Sequence, residues 1–220
     1  MLVLAVDSAS AATSAAIAEV TADGVTVIAA EANVDARAHG EVLAPLIQAC
    51  LATAGRAPGE LNAIVAGVGP GPFTGLRVGL VTAAALGDAL TIPTYGVCSL
   101  DAIGCSAGPS GESRLLVAAD ARRREVYWAG YRHGVRDGDP MVTKPAELDL
   151  EGYTAMAGSG ARLYADALGL PLLDQDYPDL GALVAVAAER VLAQAPAEQL
   201  TPLYLRRPDI AEPSVRKSVL

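Results

Sequence analysis

The chain has 220 residues, of which 52% are hydrophobic and only 4% aromatic, and its formal net charge is −9. That length suits one large domain or two small lobes, with a core built from Ala, Val, Leu and Ile. Residues 1–105 carry a net −6 and residues 106–220 a net −3, so neither half is the polybasic surface that strong, direct nucleic-acid binding needs.

Three cysteines, Cys50, Cys98 and Cys105, include no C-x-x-C pair, which argues against a disulfide framework and a structural zinc site. The apolar start from Met1 to Val6 follows no basic region and stops at Asp7, unlike a secretory signal. The run Val78 to Leu90 contains Asp88 and is short for a bilayer span. The expectation is a reduced, soluble, cytoplasmic protein that makes no membrane contact.

Leu2 to Val6 reads as a strand buried on both faces, ending in a small polar turn at Asp7-Ser8-Ala9-Ser10. Ala12 to Val20 and Val25 to Ala32 read as two more strands joined by the hairpin signal Asp23-Gly24. A helix follows from about Glu41 to Ala54, with Leu43, Leu46, Ile47 and Cys50 on its apolar stripe and Gly55 ending it. Leu61 to Val68 is a strand. Thr74 is the expected N-cap of a helix running to Leu90. Tyr95 to Val97 is a short strand, and Ser99 is expected to cap a short helix to Cys105.

Ala107 to Gly111 is the best linker candidate. Beyond it, Leu115 to Asp120 repeats the pattern of Leu2 to Asp7, and a second strand follows from Glu125 to Tyr131. Asp137-Gly138-Asp139-Pro140 reads as a turn, Met141 to Thr143 as a third strand and Tyr153 to Ala157 as a fourth. Ala161 to Leu168 and Leu180 to Gln194 read as helices, and the proline-containing tail from Gln199 as extended. The halves look like diverged copies of one unit, which predicts an α/β fold of two lobes, residues 1–105 and 106–220.

The segment Gly69-Pro70-Gly71-Pro72-Phe73-Thr74-Gly75-Leu76-Arg77 joins a strand to a helix N-terminus. It fits neither a Walker A loop nor a dinucleotide fingerprint. Pro70 and Pro72 each lack the N–H that a phosphate cradle uses, while donors remain at Phe73, Thr74, Gly75 and Leu76. Arg77 sits in the first helical turn, where the macrodipole disfavours a cation. Its compensation is either a carboxylate of the chain, such as Asp7, or the acid of a ligand or partner. Asp7, Thr74, Gly75 and Arg77 are therefore the ligand-binding candidates.

Gly79, Ala83 and Gly87, spaced by four, form a stripe almost without side chains. Such a stripe packs closely either on the chain's own sheet or against a partner helix. With Leu43, Leu46, Ile47 and Cys50, these three are the partner-interface candidates. Asp7 and Asp120 end equivalent strands, where a metal-nucleotide ligand and a turn-capping residue are the competing readings. His39 and His133 are the only histidines and are far apart in sequence, so no metal site is expected. Arg122-Arg123-Arg124 is either a solvated face or a minor contact to RNA or an acidic partner.

Several segments together resemble the TsaB (YeaZ) family of tRNA threonylcarbamoyladenosine synthesis. They are Leu4 to Ser8; His39-Gly40-Glu41 with Leu43 and Pro45; Gly69 to Gly79, similar to G-P-G-S-F-T-G-x-R-x-G; Asp120 to Tyr127, similar to D-A-R-R-x-E-V-Y; and Pro202 to Arg206. Pro72 stands where the family usually has Ser, and His39-Gly40 replaces His-Ser. The resemblance implies two ribonuclease-H-like lobes of actin-like/Hsp70-like (ASKHA) architecture. It implies no catalytic residues, no metal and no cofactor. It further implies a scaffold role beside TsaD, which transfers threonylcarbamoyl to the adenosine next to the anticodon. The ATPase TsaE would join them, the N-terminal lobe would form homodimers, and tRNA would be met only indirectly. The competing expectation is an actin-like ATPase or a peptidase acting on its own.

Overall fold

Residues that alternate between two buried faces set the architecture. The computed structural model describes residues 1–107 and 114–206, so positions 108–111 of the predicted linker and the tail prolines Pro208 and Pro213 lie outside the described residues. The chain opens with β1 (Leu2–Asp7), β2 (Ala12–Thr21) and β3 (Gly24–Val34), then α1 (His39–Ala54), β4 (Ala63–Gly67), α2 (Phe73–Leu90) and β5 (Thr94–Val97). These strands form a five-stranded sheet in the order β3-β2-β1-β4-β5. Central β1 runs antiparallel to β2 and parallel to β4.

On one face Leu4 and Val6 join Ile17 and Ile64 beneath α1 and α2. On the other Val3 and Ala5 join Ala16, Ala18, Ala63 and Val65 beneath α6 (Leu180–Leu192). A strand covered on both sides has no position for a polar residue, which is why Leu2 to Val6 is unbroken. The helix α6 is capped by Asp179, whose carboxylate accepts from the Ala182 N–H at 2.7 Å. It covers the first sheet although it follows the second in the chain.

Between α3 (Ser99–Ala107) and α6 lie β6 (Arg114–Asp120), β7 (Val126–Arg132), β8 (Val135–Thr143), β9 (Tyr153–Ala157), α4 (Ser159–Leu163) and α5 (Ala165–Leu168). Their sheet has the order β8-β7-β6-β9, with β6 antiparallel to β7 and parallel to β9. That repeats the arrangement around β1. An isolated parallel bridge from Met156 to Leu172 stands beside β9 where the first sheet places β5. The molecule is thus an α/β fold of two related lobes.

Two local expectations change. The predicted turn Asp137–Pro140 lies inside β8: the pairing jumps from Trp128–Met141 to Gly130–Asp137, so residues 138–140 form a bulge opposite Ala129. An edge strand accommodates both that bulge and Pro140. The helix expected over Ala161–Leu168 is two short pieces, broken at Tyr164.

The lobes are joined by α3 and by the tail. Ala102 packs with the first sheet, while Leu100 and Ile103 pack with the second. Asp101 on α3 accepts from the Tyr131 hydroxyl at 2.7 Å and pairs with Arg136 at 3.2 Å, and burial holds its carboxyl above the usual range. In the tail, the Glu198 N–H donates to Thr94 O at 2.9 Å and the Leu203 N–H to Val68 O at 2.8 Å. Arg206 then donates to Ala121 O at 3.1 Å and pairs with Glu125 of the second lobe.

Among the described residues one helix, Phe73–Leu90, is long and apolar enough by length and composition to cross a membrane. Its length exceeds the run Val78–Leu90 noted in the sequence, and its inner face belongs to the first core.

A Cβ added at Gly71 would lie 1.9 Å from Ala9 O, whereas one at Gly40 would meet nothing within 4 Å. Gly71→Ala should therefore destabilise by about 1–3 kcal/mol in denaturant unfolding, and Gly40→Ala should change stability by less than about 1 kcal/mol. Equal effects at the two positions would contradict a close approach of residue 71 to Ala9.

Candidate functional site

The site is the end of β1, where the turn after Asp7 meets the start of α2. Gly67 ends β4 directly beside Asp7; a Cβ there would lie 1.8 Å from Asp7 Oδ2. The Gly69 N–H donates to Ser99 Oγ at 3.2 Å, and the Ser99 hydroxyl donates to Asp7 Oδ2 at 2.5 Å. Ser99 therefore ties the loop to Asp7, which gives its hydroxyl a different task from the helix cap expected of it. Asp7 Oδ1 accepts from the Ala9 N–H at 2.9 Å. With 2% of its surface exposed, Asp7 is sealed. Burial raises its pKa from 3.8 to about 6, against the opposing hydrogen bonds from Ser99 and Ala9.

The first turns of α2 rest on the same turn of β1–β2. The Ser8 hydroxyl donates to Gly75 O at 2.7 Å and accepts from the Gly79 N–H at 2.9 Å. A Cβ at Gly75 would come within 2.9 Å of both His39 and Ser8 O, and one at Gly79 within 2.6 Å of Ser8 Oγ. His39 Nδ1 lies 2.6 Å from Thr13 Oγ1, and burial lowers the His39 pKa from 6.5. Glycines at 71, 75 and 79 thus let a helix N-terminus occupy the space above a strand end where a ligand would need backbone donors.

The structure separates the ligand candidates. Thr74 is exposed and is not the N-cap: α2 starts at Phe73, with extended Pro72 at the cap position and no side-chain cap bond. Gly75 is buried against His39. Arg77 does not pair with Asp7. Its guanidinium lies 3.6 Å over the Phe73 ring and 6.0 Å from that of Tyr204, and its Nε donates to the Tyr204 hydroxyl at 2.9 Å. The two rings stack at 5.1 Å. Among the described residues no carboxylate bridges to Arg77; aromatic faces offset the unfavourable dipole instead.

Of the interface candidates, Leu43, Ile47, Cys50 and Ala83 are buried in the first core, and Leu46 packs half-buried against it. The Cys50 thiol donates to Ala15 O at 3.2 Å. Gly79 faces Ser8, and Gly87 faces Thr94, whose Cγ2 a Cβ at position 87 would approach to 2.6 Å. Of the two packing readings of the stripe, the geometry supports the chain's own sheet. The side chains free to meet another molecule are on the outer faces: Ala44, Ala49 and Ala52 on α1, and Val81, Ala84, Ala85 and Ala89 on α2. The available signal was compositional, since an exposed helix face normally carries Lys and Glu rather than Ala.

Asp120, at the matching place in the second lobe, accepts from the Arg122 N–H at 2.8 Å and caps its own turn. Gly160 packs on the backbone of Ala119 and Asp120, much as Gly79 packs on Ser8. Gly104-Cys105-Ser106-Ala107-Gly108 has the letters of a nucleophile elbow. However, Ser106 lies in the last turn of α3 and donates to Ile103 O at 3.2 Å, whereas an elbow needs a strand–turn–helix setting.

Residues 26–211 match the family model described as TsaD: tRNA N6-adenosine threonylcarbamoyltransferase. The Escherichia coli tRNA threonylcarbamoyladenosine biosynthesis protein TsaB is 31% identical over 230 residues, covering 94% of this chain and 95% of that protein. The chain belongs to the TsaB family. As a family member it has a role in tRNA threonylcarbamoyladenosine biosynthesis. An uncharacterised protein of Mycobacterium leprae is 48% identical over 208 residues, covering 94% of this chain, which spans only 55% of that relative's length. The structure of YeaZ from Pseudomonas aeruginosa superposes with a TM-score of 0.77 at 27% identity, covering 93% of this chain and 99% of the other.

A carboxyl that protonates more readily when folded takes up a proton on folding between pH 3.8 and about 6. Asp7 therefore subtracts stability as pH rises through that window. Relative to the parent, Asp7→Asn should gain thermal stability from pH 4 to pH 7. A difference in Tm that stays constant across that range would contradict the sealed carboxyl.

Proposed function

We propose that this TsaB-family chain is a non-catalytic partner of a TsaD-type tRNA N6-adenosine threonylcarbamoyltransferase. The observation that carries the reading is the closed end of β1: Asp7 is sealed by Ser99, and the space above the turn is filled by the N-terminus of α2. A metal-nucleotide site in this fold would need that carboxylate accessible and those backbone donors free. Asp120 is committed to its own turn.

Docking uses the outer faces of α1 and α2. Val81 is 66% exposed, and the alanines around it leave a low, apolar surface that a partner helix can approach closely. The same face serves a second copy of the chain or the transferase, one at a time, while an ATPase of the TsaE type joins the assembly from elsewhere. The pathway is cytoplasmic, tRNA engages the chain only within the complex, and the chain crosses from the first lobe to the second within α3, with α6 returning to cover the first sheet. This replaces Gly79, Ala83 and Gly87 as contact residues. Bulky changes there would disturb the chain's own core before they reported on a partner.

Val81→Glu and Ala49→Glu should each weaken co-purification with the transferase and self-association by about tenfold, with an unchanged Tm and circular dichroism spectrum. A reconstituted tRNA modification assay should require the parent chain and be depressed by both variants at limiting concentration. Full association by both variants, or modification at the same rate without the chain, would overturn the proposal.

A further inference from the structure

The loop from β6 to β7 carries Arg122, Arg123 and Arg124 with φ of 61°, 54° and 62°. Three successive non-glycine residues in the left-handed region are rare, and each is disfavoured by its own Cβ. They form one left-handed turn, closed by the Glu125 N–H donating to Arg122 O at 3.0 Å. The base of the turn is held from two sides. The Ala121 N–H donates to Glu125 O at 3.0 Å, while Arg206 from the tail donates to Ala121 O and pairs with Glu125.

A merely solvated loop needs neither this backbone nor this bracing. The flanking carboxylates are already occupied: Glu125 by Arg206, and Asp120 by the Arg122 N–H at 2.8 Å. The Arg122 side chain reaches Asp120 only at 3.5 Å and is 60% exposed, a contact worth little. Arg124 is exposed and makes no salt bridge among the described residues. An otherwise acidic chain thus presents the exposed side chains of Arg122 and Arg124 from one braced turn. Guanidiniums match phosphate oxygens in geometry and charge.

We propose that Arg122 and Arg124 contact the sugar–phosphate backbone of the substrate tRNA when the chain is assembled with its transferase. This rests on the function proposed above. The contact is local, because the net charge of −9 repels RNA elsewhere. It is also indifferent to base sequence, because phosphates carry none.

The test is fluorescence anisotropy of a labelled, unmodified tRNA titrated with the purified complex at several salt concentrations. The double variant Arg122→Asn/Arg124→Asn removes two charges, and asparagine tolerates the left-handed backbone. It should weaken binding about tenfold or more near 0.1 M salt and lower the slope of log affinity against log salt by about 2. Arg122→Lys/Arg124→Lys should keep most of that slope, and gel filtration should show the complex intact in both cases. Unchanged affinity and slope in an intact complex would overturn this proposal alone. So would tRNA binding lost only in step with the complex, which would assign the turn to an acidic protein surface. A parent chain that forms no complex with the transferase would overturn both proposals.

Discussion

The close approach of α2 to the turn after β1 is the contact on which the rest depends. It requires glycine at 71, 75 and 79, because each Cβ would collide with the backbone or side chains of residues 8, 9 and 39. Ser8 then uses one hydroxyl twice, donating to Gly75 O and accepting from the Gly79 N–H. Glycines in a helix interior cost about 1 kcal/mol each relative to alanine, a cost the packing offsets. The functional consequence is subtractive. A strand end that could hold a ligand is filled by the protein's own helix, and Asp7 becomes a buried group hydrogen-bonded to Ser99.

The second constraint is the tail. Arg77 and Tyr204 meet although 127 positions separate them, and Phe73 completes the cluster. The tail pairs with Val68 through Leu203 just before Tyr204, and reaches the second lobe at Ala121 and Glu125 just after it. The helix that carries the candidate docking face and the turn that carries three arginines are therefore braced by one segment. The candidate docking face of the first lobe and the arginine turn of the second share a physical connection through residues 198–206.

Much of the fold was legible because continuous apolar runs and the repeated strand-plus-aspartate pattern reflect strands buried on both faces. Leu4 and Val6 against Val3 and Ala5 are that pattern realised. The site was less legible, for identifiable reasons. A stripe such as Gly79, Ala83 and Gly87 signals close approach but not what approaches; here it is Ser8 and Thr94. A cation at a helix start signals compensation but not its source, and rings 4 residues before and 127 after Arg77 supplied it without any carboxylate. Pairing along the β7–β8 hairpin, which turns earlier at residues 133–134, made residues 138–140 a bulge rather than a turn. The left-handed arginine turn has no signal in residue types at all, since arginine has no preference for that backbone.

The proposed non-catalytic role requires that the closed end of β1 leave no nucleotide site. Titration calorimetry of the isolated chain with Mg-ATP tests it most directly. The closed geometry predicts no saturable heat at micromolar concentrations, for the parent and for Asp7→Ala alike. Stoichiometric micromolar binding that disappears in Asp7→Ala would contradict it and make this chain a working nucleotide-dependent enzyme.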